Sequence, residues 1–146
     1  MALIRSASLN DLESLLKLEQ NFPGDKLSKR SFQHFITKGH ADVLVFESDN
    51  ELLADAVLLY RKGSSSARLY SLVVAPQARG KGLARDLLES CEKTAELKGC
   101  THMHLEVRKD NLAAIRLYEQ NGYQIFKQID AYYEDGATAL KMGKSL

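Results

Sequence analysis

A chain of 146 residues, 45% hydrophobic and 27% charged, is long enough to bury a core and too evenly mixed for a disordered or membrane class. Its 20 lysines and arginines nearly balance 19 aspartates and glutamates, with no long block of one sign, which argues against nucleic acid as the main partner. No apolar stretch approaches the roughly 20 residues that cross a bilayer, and polar residues break the start at once, so neither a membrane attachment nor a secretory leader is expected. Cys91 and Cys100 are then expected as reduced thiols of a cytoplasmic protein rather than as a bridge.

Residues 2–7 read as a first strand. Asn10, Asp11, Leu12 and Glu13 resemble a capping box opening a helix that carries Leu12, Leu15, Leu16 and Glu19, and that Phe22-Pro23-Gly24 ends. A second helix is predicted over residues 28–38, with Phe32, Phe35 and Ile36 at core spacing and Gly39 closing it. Three strands follow, over residues 43–47, 52–60 and 68–74, and the short turn-rich separators between them suit hairpins. A long helix from about Gly82 places Leu83, Leu87, Leu88, Cys91 and Ala95 on one stripe and ends near Lys98-Gly99. Residues 101–107 read as a strand, 112–120 as a helix, 123–129 as a strand and 137–142 as a last strand. The whole predicts one α/β domain over residues 1–146, a mixed sheet of about seven strands flanked by four helices.

The junction Gln77-Ala78-Arg79-Gly80-Lys81-Gly82-Leu83-Ala84 joins the buried-strand pattern of residues 69–74 to the start of the long helix. The first amides of a helix have no internal partner, so they and the helix dipole favour an anion there. Gly80 and Gly82 permit close backbone approach, and Arg79 and Lys81 add positive charge. Two readings of a glycine pair stand on its own evidence: a tight strand-to-helix turn, or a phosphate cradle. The spacing is not that of a P-loop, and Arg85 stands where a dinucleotide fingerprint would have its third glycine.

The pattern that does fit, Gln-x-x-Gly-x-Gly at Gln77, Gly80 and Gly82, resembles the acyl-coenzyme A loop of the Gcn5-related N-acetyltransferases, the GNAT family. Downstream, Leu105-Glu106-Val107-Arg108-Lys109-Asp110-Asn111 and the run from Ala113 to Tyr123 form a second strand-to-helix unit. This segment resembles its equivalent in the GNAT branch that acetylates the N-terminal alanine of ribosomal proteins, and the likeness covers roughly residues 69–142. It implies a general base at Glu106, acting through water, a general acid at Tyr118, and a coenzyme A contact at Asn111. It further implies that main-chain groups of Leu72, Val73 and Val74 hold the pantetheine arm and thioester. Amides of Arg79, Gly80, Lys81, Gly82, Leu83 and Ala84 would hold the pyrophosphate. Tyr132 and Tyr133 correspond to a tyrosine pair that lines the peptide groove in such enzymes. Just beyond, Ala137-Thr138 stand where many relatives carry an acidic pair.

The chemistry asks for these residue types. An amine attacking a thioester must shed a proton as the tetrahedral intermediate forms, and the departing thiolate must gain one, which Glu106 and Tyr118 suit. An amide near Val74 can stabilise the developing oxyanion, and no covalent nucleophile is needed. An α-amine is about a tenth neutral at pH 7, a free lysine under about a thousandth, so a carboxylate base suits a peptide N-terminus better. The expected activity is therefore transfer of acetyl from acetyl-CoA to a peptide or protein N-terminus in a ternary complex, by a monomer or homodimer. A lysine or small-molecule amine, and a non-catalytic acyl-CoA sensing domain, are the alternatives. Bland readings stand beside these roles: Glu106 as a surface carboxylate, Tyr118 as a core tyrosine, Asn111 as a helix cap, and Tyr132 and Tyr133 as packing aromatics. Cys100, His102, His104 and Glu106 share a strand face, but four such positions span about 20 Å and cannot converge on one ion, so no metal is expected. His104 suggests instead a proton path to solvent.

Overall fold

The computed structural model describes residues 1–21 and 26–146, so the expected helix stop at Phe22-Pro23-Gly24 lies outside the described residues. The strands are β1 (Ala2–Ser6), β2 (Ala41–Ser48), β3 (Glu51–Leu59), β4 (Ser66–Val74), β5 (His102–Arg108), β6 (Gln124–Ile129) and β7 (Ala139–Ser145). The α-helices are α1 (Leu12–Glu19), α2 (Lys29–Thr37), α3 (Leu83–Leu97) and α4 (Leu112–Gln120). The strands form one seven-stranded sheet in the order β1-β2-β3-β4-β5-β7-β6. Every pairing is antiparallel except β4 with β5, where a helical crossover returns the chain in the same direction.

Alternation along the central strands splits the core in two. Leu44, Ala54, Ala56 and Leu58 face α3 and α4, meeting Leu87, Leu88, Cys91 and Tyr118. Val43, Val45 and Val57 face the other way, against Leu12 and Leu15 of α1 and Phe32 of α2. Each fully buried leucine contributes about 2 kcal/mol of apolar transfer, so the two stripes clamp the sheet from both sides.

Several boundaries move for local reasons. The first helix is entered through Ser8 and Asp11 rather than through Asn10: the Asp11 carboxylate accepts the Ser8 amide at 2.7 Å and the Arg5 guanidinium at 2.8 Å, and a short 3₁₀ turn precedes α1. Ser28 caps α2, its hydroxyl accepting the Ser31 amide at 3.1 Å. The residue with positive φ after α2 is His40, not Gly39. β7 begins two residues later than the pattern suggested, because 137 and 138 belong to the loop whose carbonyl at Ala137 accepts the amides of Tyr132 and Tyr133.

Candidate active site

The site exists because β4 and β5 part. They pair only from Ser66 with His102 to Arg68 with His104, after which β4 follows β3 while β5 follows β7 as far as Arg108. A bulge drives the divergence: Leu69 pairs with Leu58 and Ser71 with Val57, leaving Tyr70 as the extra residue. Such a bulge bends and twists its strand. Beyond Arg68, the β4 edge therefore faces an opening instead of a partner strand.

Two hollows follow one another along that edge. The first, about 330 Å³, is walled by Val74, Arg79, Gly80, Gly82, Leu83, Ala84 and Arg85, with Leu117 and Gln120 of α4 opposite. Gly80 and Gly82 take φ of 79° and 81°, a region where other residues are strained. Gly82 is the N-cap of α3, so the helix starts with its unpaired amides turned to this hollow. A Cβ on Gly80 would meet nothing within 4 Å, which leaves open space over the loop. The Arg79 Nε donates to the Val74 carbonyl at 3.2 Å, tying the loop to the strand end. Lys81 is exposed and is not part of the wall.

The second hollow, about 540 Å³, brings together Leu72 of β4, Glu106 of β5, Asn111 and Tyr118 of α4, and Tyr132 and Tyr133 of the β6–β7 loop. Val73 points away, buried on the α1 face opposite Asp55. Glu106 is 11% exposed and accepts from the Arg68 Nε at 3.2 Å. Asn111 caps α4, its side-chain oxygen accepting the Ala114 amide at 3.2 Å, and lines the hollow as well. Tyr118 is buried edge-to-face on Tyr123, and burial pushes its hydroxyl well above the ordinary tyrosine range, so it stays protonated. Tyr132 and Tyr133 also meet edge-to-face at 5.0 Å. The Arg108 guanidinium lies over the Tyr133 ring and pairs with Asp135 at 2.8 Å, fixing the loop to β5.

The residues that sequence reading missed are the ones that connect these groups. Arg68 reaches Glu106, donates to the Tyr132 hydroxyl at 3.4 Å and lies over the Tyr70 ring at 5.2 Å. No motif marks it; only the pairing of Arg68 with His104, one position from the point of divergence, puts it there. Glu19 and Leu27 close the α1 side of the hollow. His104 lies outside both hollows, its Nδ1 2.6 Å from the Ser66 hydroxyl, and burial lowers its pKa. Among the described residues, no group of three or more His, Cys, Asp or Glu side chains is placed to hold a metal, and no helix is long and apolar enough to cross a membrane.

The mixed sheet thus opens between β4 and β5, above a glycine loop and a helix start. A model of the Acetyltransferase (GNAT) family matches residues 9–123. An acetyltransferase of Pectobacterium atrosepticum is 38% identical over 81 residues, 56% of this chain and 56% of that protein, so the match spans about half the length of either. An N-alpha-acetyltransferase of Sulfurisphaera tokodaii is 27% identical over 98% of this chain and 92% of its own. The crystal structure of the ribosomal-protein-S18-alanine N-acetyltransferase from Escherichia coli superposes with a TM-score of 0.88 at 28% identity, covering 99% of this chain and 94% of that one. The chain belongs to the GNAT acetyltransferase family.

Proposed function

We propose that this chain moves acetyl from acetyl-CoA to a primary amine, and that the amine is a peptide or protein N-terminus. The observation that carries the reading is the meeting of Glu106, Asn111 and Tyr118 in one hollow beside the unpaired edge of β4. Coenzyme A fits the residues present: amides from Arg79 to Ala84 would take the pyrophosphate, and main-chain groups of Leu72, Val73 and Val74 the pantetheine arm and thioester. Asn111, which already caps α4, would contact the same arm.

Glu106 then removes a proton from the attacking amine, through water, and the Tyr118 hydroxyl donates one to the departing thiolate. An amide near Val74 stabilises the oxyanion. Transfer is direct within a ternary complex, since the chemistry needs no acyl-enzyme. Tyr132, 41% exposed at the rim, leaves a way in for an extended acceptor. The names of the two full-length relatives, an N-alpha-acetyltransferase and an enzyme of ribosomal S18 alanine, support the N-terminal preference.

The test is a panel of peptides varying in their first two residues, run with blocked peptides carrying one lysine and with small amines. Thiol release and product mass are read together. Acetylated α-amines are expected; acetylation confined to lysine side chains or small amines would overturn the preference. Stabilisation by acetyl-CoA with no transfer to any amine would make the chain a sensing domain.

A further inference from the structure

Among the described residues, four buried side-chain atoms lack a hydrogen bond: Glu19 Oε2, both carboxylate oxygens of Asp55, and Ser71 Oγ. They lie together. Asp55 stands on β3 between Val45 and Val73, and Ser71, on the next strand opposite Val57, is turned to the same face of the sheet. Glu19 comes down from α1 on that face and is close enough for its charge to act on Asp55. Asp55 is fully buried, Glu19 2% and Ser71 7% exposed, and both Glu19 and Ser71 belong to the wall of the hollow that holds Glu106.

Two carboxyl groups and a hydroxyl, buried with acceptor capacity unused, are an arrangement that folded proteins avoid. The remaining Glu19 oxygen is already engaged, accepting the Leu27 amide at 2.8 Å. The nearby arginines are committed elsewhere, Arg5 to Asp11 and Glu47, Arg68 to Glu106. Lys26 favours the charged form of Glu19 electrostatically, against the larger opposing effect of burial. A water molecule would satisfy some oxygens but would not offset the cost that burial places on the charged form of either carboxyl. A compact cation with several donors satisfies both demands, and an ammonium is that group.

We propose that Glu19, Asp55 and Ser71 form a subsite for an alkylammonium group carried by the acceptor, a second amine on the molecule whose first amine is acetylated. This rests on the acceptor entering the hollow as proposed above. Glu19 and Ser71 receive the ammonium, and Asp55 behind them supplies the second carboxyl. The same chemistry is offered by a lysine near a peptide N-terminus and by an α,ω-diamine.

Isothermal titration of the CoA-loaded protein with cadaverine and with pentylamine tests the subsite without requiring turnover. Cadaverine is expected to bind about tenfold or more tighter, the scale of hydrogen bonds to a charged group. Glu19→Gln, Asp55→Asn and their double variant should reduce that ratio, the double to within about twofold of one. Ser71→Ala gives a milder reduction if a carboxylate variant fails to fold. Equal binding of the two amines by the wild-type protein, or a ratio unchanged in folded variants, overturns the proposal. A transfer arm, comparing lysine with norleucine at the first and second peptide positions and with cadaverine, distinguishes the two sources. Acetylation of peptides with no preference for the charged side chain sinks the subsite alone. A cadaverine preference that the variants abolish, with no amine acetylated, sinks the transfer reading and keeps the subsite.

Discussion

The two hollows along β4 are built by different means. The glycine-loop end comes largely from one continuous run, residues 74–85, and acts through backbone: two positive φ angles and the unpaired amides at the start of α3. The other end is assembled from side chains of α1, β4, β5, α4 and the β6–β7 loop, held by ion pairs and ring contacts. A backbone cradle tolerates side-chain change as long as its φ angles survive. A side-chain site instead fails one group at a time, and in distinguishable ways.

The sharpest way to break this contrast is at Glu106 and Tyr118. Glu106→Gln and Tyr118→Phe should each lower kcat by about 10²- to 10⁴-fold, the range of general acid–base groups, while acetyl-CoA affinity stays within about twofold. Turnover kinetics and cofactor titration on the same preparations check it. Loss of cofactor binding with kcat preserved would mean that the two ends do not work separately.

Asp55 tests the other face of the acceptor end through stability. Burial, with the charge of Glu19 adding to it, raises its pKa from 3.8 to about 8. Between those values the native state keeps a proton that the unfolded chain has released, so stability falls as pH rises through the window and levels off above about 8. Asp55→Asn removes that slope and should gain on the order of a few kcal/mol near pH 8, with little difference near pH 4. Denaturant midpoints across the pH range measure it; a gain independent of pH would contradict the burial of an ionisable group there.

At the glycine-loop end, Gly82→Ala places a Cβ at φ 81°, with the Arg85 guanidinium 3.8 Å away. Left-handed backbone costs other residues roughly 1–2 kcal/mol, so acetyl-CoA should bind about tenfold more weakly, with kcat at saturation largely kept. An unchanged dissociation constant would show that the loop does not act through this conformation.

The same contrast explains what could be read from the chain in advance. Four helices and seven strands were legible because their signals are local: period-two strands, the α3 stripe, and glycines at Gly63, Gly99 and Gly122 that take positive φ. The loop from Arg79 to Ala84 was legible because consecutive residues build it. Arg68 and Glu19 were not, since each enters the site through pairings between distant segments, and the Tyr70 bulge that turns β4 away from β5 leaves no mark in hydrophobic alternation. Asp55 was hidden for the opposite reason. Its strand, Ala54-Asp55-Ala56-Val57-Leu58, reads as a buried run, and a carboxylate within it carries no local sign that its oxygens stay unpaired.

Arg68 is where the smallest effect discriminates most. Its guanidinium joins Glu106, the Tyr132 hydroxyl and the Tyr70 ring, so it links β4, β5 and the β6–β7 loop across the opening. Arg68→Met keeps much of the side-chain length but leaves Glu106 without its ion partner and Tyr132 without its donor. With the Arg68 side chain still 33% exposed, solvent screens the pair and holds its contribution to about 1 kcal/mol, so a modest change is expected: acceptor KM up by about three- to fivefold, acetyl-CoA affinity unaltered. Arg68→Lys restores the charge but neither the Nε geometry nor the guanidinium contact over the Tyr70 ring, and should recover only part of the loss. Were Arg68 merely structural, Met would lower the unfolding temperature and leave the acceptor KM alone. A rise in acceptor KM without change at the cofactor end, partly rescued by lysine, would instead identify it as the residue that positions the acceptor side of the cleft.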